Sequence, residues 1–196
     1  MHPELLSMSL FMLVTSCSPG PNNIVASYSA FNFGIIKTIP HMCGVIFGFT
    51  TLVAVVNFGL INIFKMFPLI QELLKYGGSI FLIYLAYKIA FFKFNSNNPS
   101  GNPVKFIETF FFQFLNPKAV IVSIIIVSTY VDNGENFINH SLWALGVAFI
   151  FACFSIFFWT LIGKFLRKFA TNEKFIKLFN YVMSFLLLTC IATFYL

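Results

Sequence analysis

Two short polar segments interrupt apolar stretches of the chain, and each combines proline with side chains that form hydrogen bonds. The first is a proline-glycine-proline break followed by two amides, and it comprises Ser18, Pro19, Gly20, Pro21, Asn22 and Asn23. The second combines two amides, a proline and a lysine, and it comprises Gln113, Asn116, Pro117 and Lys118. Proline removes a backbone donor and glycine loosens the backbone, so both segments predict a broken helix.

Each break predicts a new helix after its proline, at Pro21 and at Pro117. The first turn of a helix has free N–H groups and a partial positive charge, which together attract a carboxylate. If the two helix starts face each other, nearby amide side chains can bind an amino group or a polar side chain. The sequence therefore predicts a binding site for a small zwitterion formed by Pro19, Gly20, Pro21, Asn22, Asn23, Gln113, Asn116, Pro117 and Lys118.

Lys118 lies about halfway along an apolar stretch. A lysine at that depth in a membrane costs roughly 2.5–3.5 kcal/mol, so we expect it to face a cavity or a partner. It is either a countercharge for a substrate carboxylate or a titrating group in proton coupling. The alternative is a structural lysine held by backbone carbonyls or by Glu108. Glu108 is also a candidate for proton coupling.

The histidines and cysteines do not form the pattern of a metal or cofactor site. The four cysteines lie far apart and without a CxxC pair, so we expect small core residues rather than zinc ligands or disulfides. His41 follows Pro40 near the start of an apolar stretch. We expect an interfacial histidine there, with a proton relay as the alternative.

The composition places these segments in membrane helices. The chain is 59% hydrophobic and 9% charged, whereas soluble domains are about 45–50% apolar and about 25% charged. A globule of this composition would have too few polar residues to cover its surface, so lipid is the expected surrounding. The net charge is +6, but the sequence contains no soluble domain that could present a basic surface. Nucleic acid is therefore not an expected partner.

Six apolar stretches approach or exceed the roughly 20 residues that a helix needs to cross a bilayer. They are residues 5–31, 39–63, 69–92, 106–131, 141–162 and 175–196. A polar linker, residues 95–103, divides the single membrane domain 1–196 into three-helix repeats 1–94 and 104–196. The predicted fold class is an all-α integral membrane protein with six transmembrane helices.

The two breaks occupy corresponding places, since each lies in the first span of a three-span half. Because each half has an odd number of spans, the two halves enter the membrane from opposite sides. This arrangement is called an inverted repeat. Interrupted spans at matching positions of two halves indicate a transporter site near the midplane. We therefore predict two inverted three-helix repeats with helices 1 and 4 interrupted at the midplane.

Basic residues predict the orientation of the chain. Nine of them lie on one predicted side, namely Lys37, Lys88, Lys93, Lys105, Lys164, Arg167, Lys168, Lys174 and Lys177. Only Lys65 and Lys75 lie on the other side. The positive-inside rule then predicts both termini outside and the linker in the cytoplasm. The first span has no positive n-region or cleavage site, so we expect it to remain in the mature protein.

In these segments the chain resembles the LysE/RhtB family of bacterial amino-acid exporters. The similar segments follow the family's order over the first two-thirds of the chain, at residues 18–23, 32–34, 44, 48, 76–78, 84–88 and 113–119. The last two spans match in length and in a basic loop, residues 164–177. Glu108 departs from the pattern, since many members carry a small or neutral residue there. The pairing of the two breaks is most similar to the branch that exports cysteine and O-acetylserine.

The resemblance implies a secondary transporter, not an enzyme, in the bacterial cytoplasmic membrane. It would export small amino acids or derivatives that are either cysteine/O-acetylserine-like or homoserine/threonine-like. The chain has no nucleotide-binding motif, so we expect an ion gradient, the proton gradient first, to drive transport. The alternatives are a channel, a non-catalytic membrane subunit or a membrane-embedded enzyme, whose paired carboxylates or His-Glu-x-x-His helix are absent from the sequence. A homodimer is compatible with such a small bundle.

Overall fold

A computed structural model of the chain describes residues 3–60, 68–92, 103–131, 134, 136–170 and 172–195. All regular structure in these residues is helical, as the sequence predicts. The helices are α1 (Pro3–Cys17), α2 (Pro21–Phe33), α3 (Ile35–Val55), α4 (Pro68–Ala90), α5 (Phe106–Leu115), α6 (Pro117–Tyr130), α7 (Phe137–Arg167) and α8 (Glu173–Ala192). A π-helical turn, Val56–Leu60, extends α3. The predicted linker, residues 95–103, lies outside the described residues apart from its last position, and so do Lys65 and Lys93.

Both predicted helix breaks are present. The first separates α1, which ends at Cys17, from α2, which begins at Pro21. The second separates α5, which ends at Leu115, from α6, which begins at Pro117, and it bends the chain by 64°. In each case proline is the first residue of the new helix, where its missing N–H costs no hydrogen bond and its fixed φ suits the helix.

The described helices include four that are long and apolar enough to cross a membrane, which makes the chain a multi-pass membrane protein. They are Ile35–Gly59, Glu72–Ala90, Phe137–Arg167 and Glu173–Ala192. The bent pair α5 and α6 adds a fifth span if both helices are counted as one. α1 contributes a shorter apolar helix, Glu4–Cys17. Length and composition thus give four to five spans, and the arrangement of six spans as an inverted repeat stays a prediction.

The position of α2 explains why the first predicted span differs from the others. Eleven of its thirteen residues are buried, and it packs against α3, α7 and α8. Because neighbouring helices surround it, α2 has no need of the apolar surface that lipid requires. Its polar residues include Asn22, Asn23, Ser27 and Asn32, which lower the hydropathy of this segment. The chain after the first break is therefore a central helix of the bundle.

The boundaries of α3 and α7 differ from the predicted ones by several residues. The predicted second span starts at residue 39, but α3 starts at Ile35 because Gly34, with a φ of 82°, turns the chain directly after α2. Pro40 consequently lies inside α3, where it removes one backbone donor. The predicted fifth span covers residues 141–162, but α7 extends over Phe137–Arg167, and its last turn carries Lys164 and Arg167 beside the negative end of the helix dipole.

Apolar side chains cover the outside of the bundle and also fill its interior. Val14 is 70% exposed, Ile36 82% and Ile138 70%, which suits contact with lipid rather than water. One buried cluster joins α1, α3, α6 and α7, and a second joins α2, α4, α5 and α8. At each break, the helix on one side contributes to the first cluster and the helix on the other side to the second.

Glycines allow α3 to pack closely against α5. A Cβ atom on Gly44 would lie 2.6 Å from the carbonyl oxygen of Phe106, and one on Gly48 would lie 2.7 Å from that of Phe110. Any larger residue would push the two helix backbones apart. This contact places the end of α5, with Gln113, at the centre of the bundle.

Candidate functional site

A cavity of about 80 Å³ lies where the two helix breaks meet. Since one water needs roughly 10–15 Å³ of such space, the cavity has room for about five to eight water-sized groups. Its lining comes from both breaks and from α1, α3, α5, α6 and α7, and it comprises Met12, Thr15, Ser16, Gly20, Pro21, Asn22, Asn23, Val45, Phe49, Gln113, Asn116, Lys118, Ala119, Val122, Ala152, Ser155 and Ile156.

Seven of the nine residues predicted for the site line this cavity. They are Gly20, Pro21, Asn22, Asn23, Gln113, Asn116 and Lys118. Pro19 and Pro117 belong to the two breaks but are not part of the cavity wall. The fold therefore brings together residues about 95 positions apart in the sequence, as the matching breaks suggest.

The carbonyl groups at the end of α1 are bound by protein donors. The Asn23 side chain donates to the carbonyl oxygens of Ser16 at 2.8 Å and Ser18 at 3.0 Å. From α7, the Ser155 hydroxyl donates to the Ser16 carbonyl at 2.6 Å, and the Trp159 indole donates to the Cys17 carbonyl at 3.2 Å. A helix break at membrane depth survives only with such partners.

The start of α2 is open toward the cavity. Its N-cap residue is Gly20, and in the described part of the chain no side chain caps it. Pro21, Asn22 and Asn23 form its first turn and line the cavity. The free backbone donors and the helix dipole therefore meet the cavity at this end.

The sequence predicts that the start of α6, like that of α2, is open and free to bind a carboxylate, but in the structure it is capped. The side-chain oxygen of Asn116 accepts a hydrogen bond from the backbone N–H of Lys118 at 3.2 Å, so the helix has its own cap. Asparagine is among the strongest N-cap residues. Of the two helix starts predicted to bind a carboxylate, the one at α2 is thus the more accessible.

The Lys118 side chain crosses from α6 to the first break. Its ammonium group donates to the Ser18 hydroxyl at 2.7 Å and to the Ser18 carbonyl oxygen at 3.3 Å. A Cβ atom on Gly20 would lie 3.1 Å from this ammonium group. Glu108 is elsewhere, since its carboxylate accepts from the backbone N–H of Lys105 at 2.9 Å at the start of α5. The described partner of Lys118 is therefore Ser18 rather than Glu108.

A pair of amide side chains joins the two halves next to Lys118. Asn22 donates to the Gln113 side-chain oxygen at 2.8 Å, and Gln113 donates back to that of Asn22 at 3.1 Å. Gln113 also donates to the Thr109 carbonyl oxygen at 2.9 Å and is fully buried. The pair fixes the first turn of α2 against α5.

Ser155 and His41 lie in positions that the sequence pattern does not predict. Ser155 lines the cavity from α7, and a small polar residue within the apolar stretch 141–162 was the available signal. His41 was expected at the membrane interface, but it is only 2% exposed. Because α3 begins at Ile35, His41 lies almost two turns into the helix, between α2 and α5.

The fold and the cavity define a class of protein: a multi-pass helical membrane protein with a cavity at its interrupted helices. Residues 13–195 match the LysE type translocator family, and the chain belongs to this family. The resemblance of the two breaks to the LysE/RhtB exporters is thereby confirmed.

Curated relatives match along almost the whole chain. The cysteine/O-acetylserine efflux protein of Salmonella typhimurium strain LT2 is 30% identical, over 97% of this chain and 97% of its own length. The protein of the same name from Escherichia coli strain K12 is 29% identical over 97% of each chain. No solved structure matches the chain.

Proposed function

We propose that this protein exports a small zwitterionic amino acid or derivative and that the cavity at the two breaks is its binding site. Relatives of 29–30% identity are named cysteine/O-acetylserine efflux proteins, which supports a substrate of that kind. A homoserine- or threonine-like substrate is the second candidate, because these molecules have the same zwitterionic head and a short polar side chain.

One observation carries the proposal: the Lys118 ammonium group and the open start of α2 meet in one cavity. A carboxylate there would accept charge-assisted hydrogen bonds from Lys118 and from the backbone N–H groups of the first turn. In the structure Ser18 accepts from Lys118, so a substrate carboxylate would take over this contact.

The remaining walls fit an amino group and a short neutral side chain. Thr15, Ser16 and Ser155 supply oxygen atoms to the lining, while Val45 and Phe49 supply apolar surface. The described lining residues include no carboxylate. A substrate with a cationic side chain would therefore lack a countercharge, and a neutral amino acid fits better.

The wider architecture of the proposal follows the sequence analysis. The chain would lie in the bacterial cytoplasmic membrane with both termini outside, as two inverted three-helix repeats that move against each other. The proton gradient would drive export. Lys118 is a candidate coupling group because it lies in the cavity, whereas Glu108 is a weaker one because it caps α5. A homodimer is the proposed assembly.

Export from cells tests the proposal. We would express the wild type, Lys118→Ala and Asn22→Ala in a bacterial host and quantify amino acids in the medium by mass spectrometry. Lys164→Ala, which changes an exposed lysine, is the matched control. Membrane levels of all four proteins are equalised before comparison.

We expect one or a few neutral amino acids to accumulate with the wild type and the control, and to fall about tenfold or more with both cavity variants. Export that persists in the cavity variants would place the site elsewhere. If no amino acid changes despite correct insertion, amino-acid export is wrong and a channel or subunit role becomes the better hypothesis.

A further inference from the structure

Four residues form a closed ring of hydrogen bonds behind the cavity. The His41 ring contacts the Asn22 carbonyl oxygen through Nε2 at 3.0 Å and the Thr109 hydroxyl through Nδ1 at 2.9 Å. Gln113 closes the ring, since it donates to the Thr109 carbonyl oxygen and pairs with the Asn22 side chain. The ring links α2, α3 and α5, and two of its members line the cavity.

The ring geometry accommodates either protonation state of His41. A carbonyl oxygen only accepts, so Nε2 carries the hydrogen toward Asn22. In the neutral state, the Thr109 hydroxyl donates to the free Nδ1 atom. In the protonated state, Nδ1–H donates to the Thr109 oxygen, and the hydroxyl turns to the carbonyl oxygen of Lys105, which lies 3.2 Å away. Both states satisfy every donor without movement of a heavy atom.

His41 is buried, and its described hydrogen-bond partners in the closed ring are neutral. His41 lies on α3. The ionisable side chains of α3 and of the helices that pack against it are Tyr28 on α2, Lys37 and Cys43 on α3, Lys105 and Glu108 at the start of α5, Lys118 and Tyr130 on α6, and His140, Cys153, Lys164 and Arg167 on α7. The described contacts of the imidazole go instead to two neutral groups, on Asn22 and Thr109. A buried cation with only neutral partners favours any conformation that admits water.

The ring also lies on one particular side of the cavity. Thr109 is one turn before Gln113, toward the start of α5, and His41 lies toward the α2–α3 turn at Gly34. This is the end of the bundle that carries Lys37 and Lys105, the predicted cytoplasmic end. Opening the ring would therefore connect the cavity to the cytoplasm.

We infer that His41, rather than Lys118 or Glu108, is the proton-binding residue of the transport cycle and that its ring closes the cavity on the cytoplasmic side. The inference rests on the proposed function. A proton that enters from outside binds Nδ1 and favours ring opening. The imidazolium releases that proton to the cytoplasm, and the neutral ring closes again over a bound amino acid. Each cycle thus moves one proton inward for each substrate moved outward.

A His41→Gln variant separates proton binding from packing. Glutamine can donate to the Asn22 carbonyl and accept from the Thr109 hydroxyl, as neutral histidine does, but it does not titrate. His140→Gln, on the outer part of α7, is the matched control. Each protein is purified and reconstituted into vesicles with radiolabelled L-cysteine as the probe and L-homoserine as the second probe. We would measure counterflow at equal pH and uptake into vesicles with an acidic interior.

In the wild type and in His140→Gln, we expect the acidic interior to stimulate uptake about tenfold or more over equal pH. In His41→Gln this stimulation should disappear, while counterflow falls less than about fivefold. Stimulation that persists in His41→Gln would overturn the inference. It would also be overturned if a folded His41→Gln protein lost counterflow to the same extent as stimulation. Wild-type counterflow without stimulation would also overturn it but would leave transport intact. Absence of wild-type counterflow for both probes would contradict the proposed function and the inference together.

Discussion

Lys118 connects the two halves of the chain through one side chain. It extends from the first turn of α6 to Ser18 in the first break, where Gly20 leaves space beside its ammonium group. The φ of Gly20 is −157°, an extended value that any residue adopts, so its lack of a side chain matters for space rather than for backbone conformation. The position of the ammonium group therefore depends on the absence of a Cβ atom at residue 20.

Gly20→Ala should weaken substrate binding without disturbing the fold. The added Cβ would lie 3.1 Å from the Lys118 ammonium group, and this flexible group would shift. We expect KM to rise about five- to tenfold, which corresponds to about 1–1.4 kcal/mol, with a smaller change in kcat. Transport kinetics in vesicles measure both constants. Gly146→Ala, whose Cβ meets nothing within 4 Å, is the control. Unchanged KM in Gly20→Ala would show that the ammonium group does not bind substrate.

Most of the site residues were predictable because proline and buried polar residues are visible in the sequence. Which of these residues contact each other was not predictable, because the contacts depend on how each helix is rotated about its axis. Sequence alone indicated neither that Asn116 caps α6, nor that Ser18 binds Lys118. The burial of His41 was not predictable either, because the sequence does not show that α3 begins already at Ile35.

The close contact between α3 and α5 controls the position of Gln113. A Cβ atom on Gly48 would lie 2.7 Å from the Phe110 carbonyl oxygen and 2.8 Å from Cγ of Gln113. The first of these neighbours is backbone, which cannot rotate away. The helices must therefore separate if residue 48 gains a side chain, and Gln113 moves with α5.

Gly48→Ala should destabilise the folded protein and reduce transport together. Overpacking of this kind costs typically about 1–3 kcal/mol. For a chain of this length we expect the midpoint of thermal unfolding in detergent to fall by several degrees, roughly 2–4 °C per kcal/mol. Gly146→Ala should leave the midpoint within about 1 °C, since its Cβ meets open space. Equal midpoints for the two variants would contradict the close packing of α3 and α5.

The helical class and both breaks were predictable from the sequence, but the path of each helix was not. Apolar length identifies a helix that faces lipid, and it identifies α7 and α8 well. It describes α2 poorly, because the other helices shield α2 from lipid. Similarly, α1 is too short to cross a bilayer of about 30 Å on its own, and only its combination with α2 would complete a span.

Over the whole molecule, the proposed orientation depends on the distribution of basic residues. Reporter fusions test it directly. Alkaline phosphatase is active only outside the cytoplasm, and green fluorescent protein folds only inside it. We expect a phosphatase fused after Leu196 to be active, and a fluorescent protein inserted within residues 95–103 to be bright. If the two reporters are exchanged, neither phosphatase activity nor fluorescence should be detected. The opposite pattern would place both termini in the cytoplasm and reverse the side that the His41 ring closes.

The central claim is that an amino acid binds in the cavity between the two helix breaks. Equilibrium binding to purified protein in detergent tests it most directly, with radiolabelled L-cysteine and L-homoserine as probes. We expect saturable binding of at least one probe to the wild type, a Kd at least about tenfold higher for Lys118→Ala, and a Kd within about twofold for Lys164→Ala. Equal Kd values for the wild type and Lys118→Ala would contradict a binding site at the breaks.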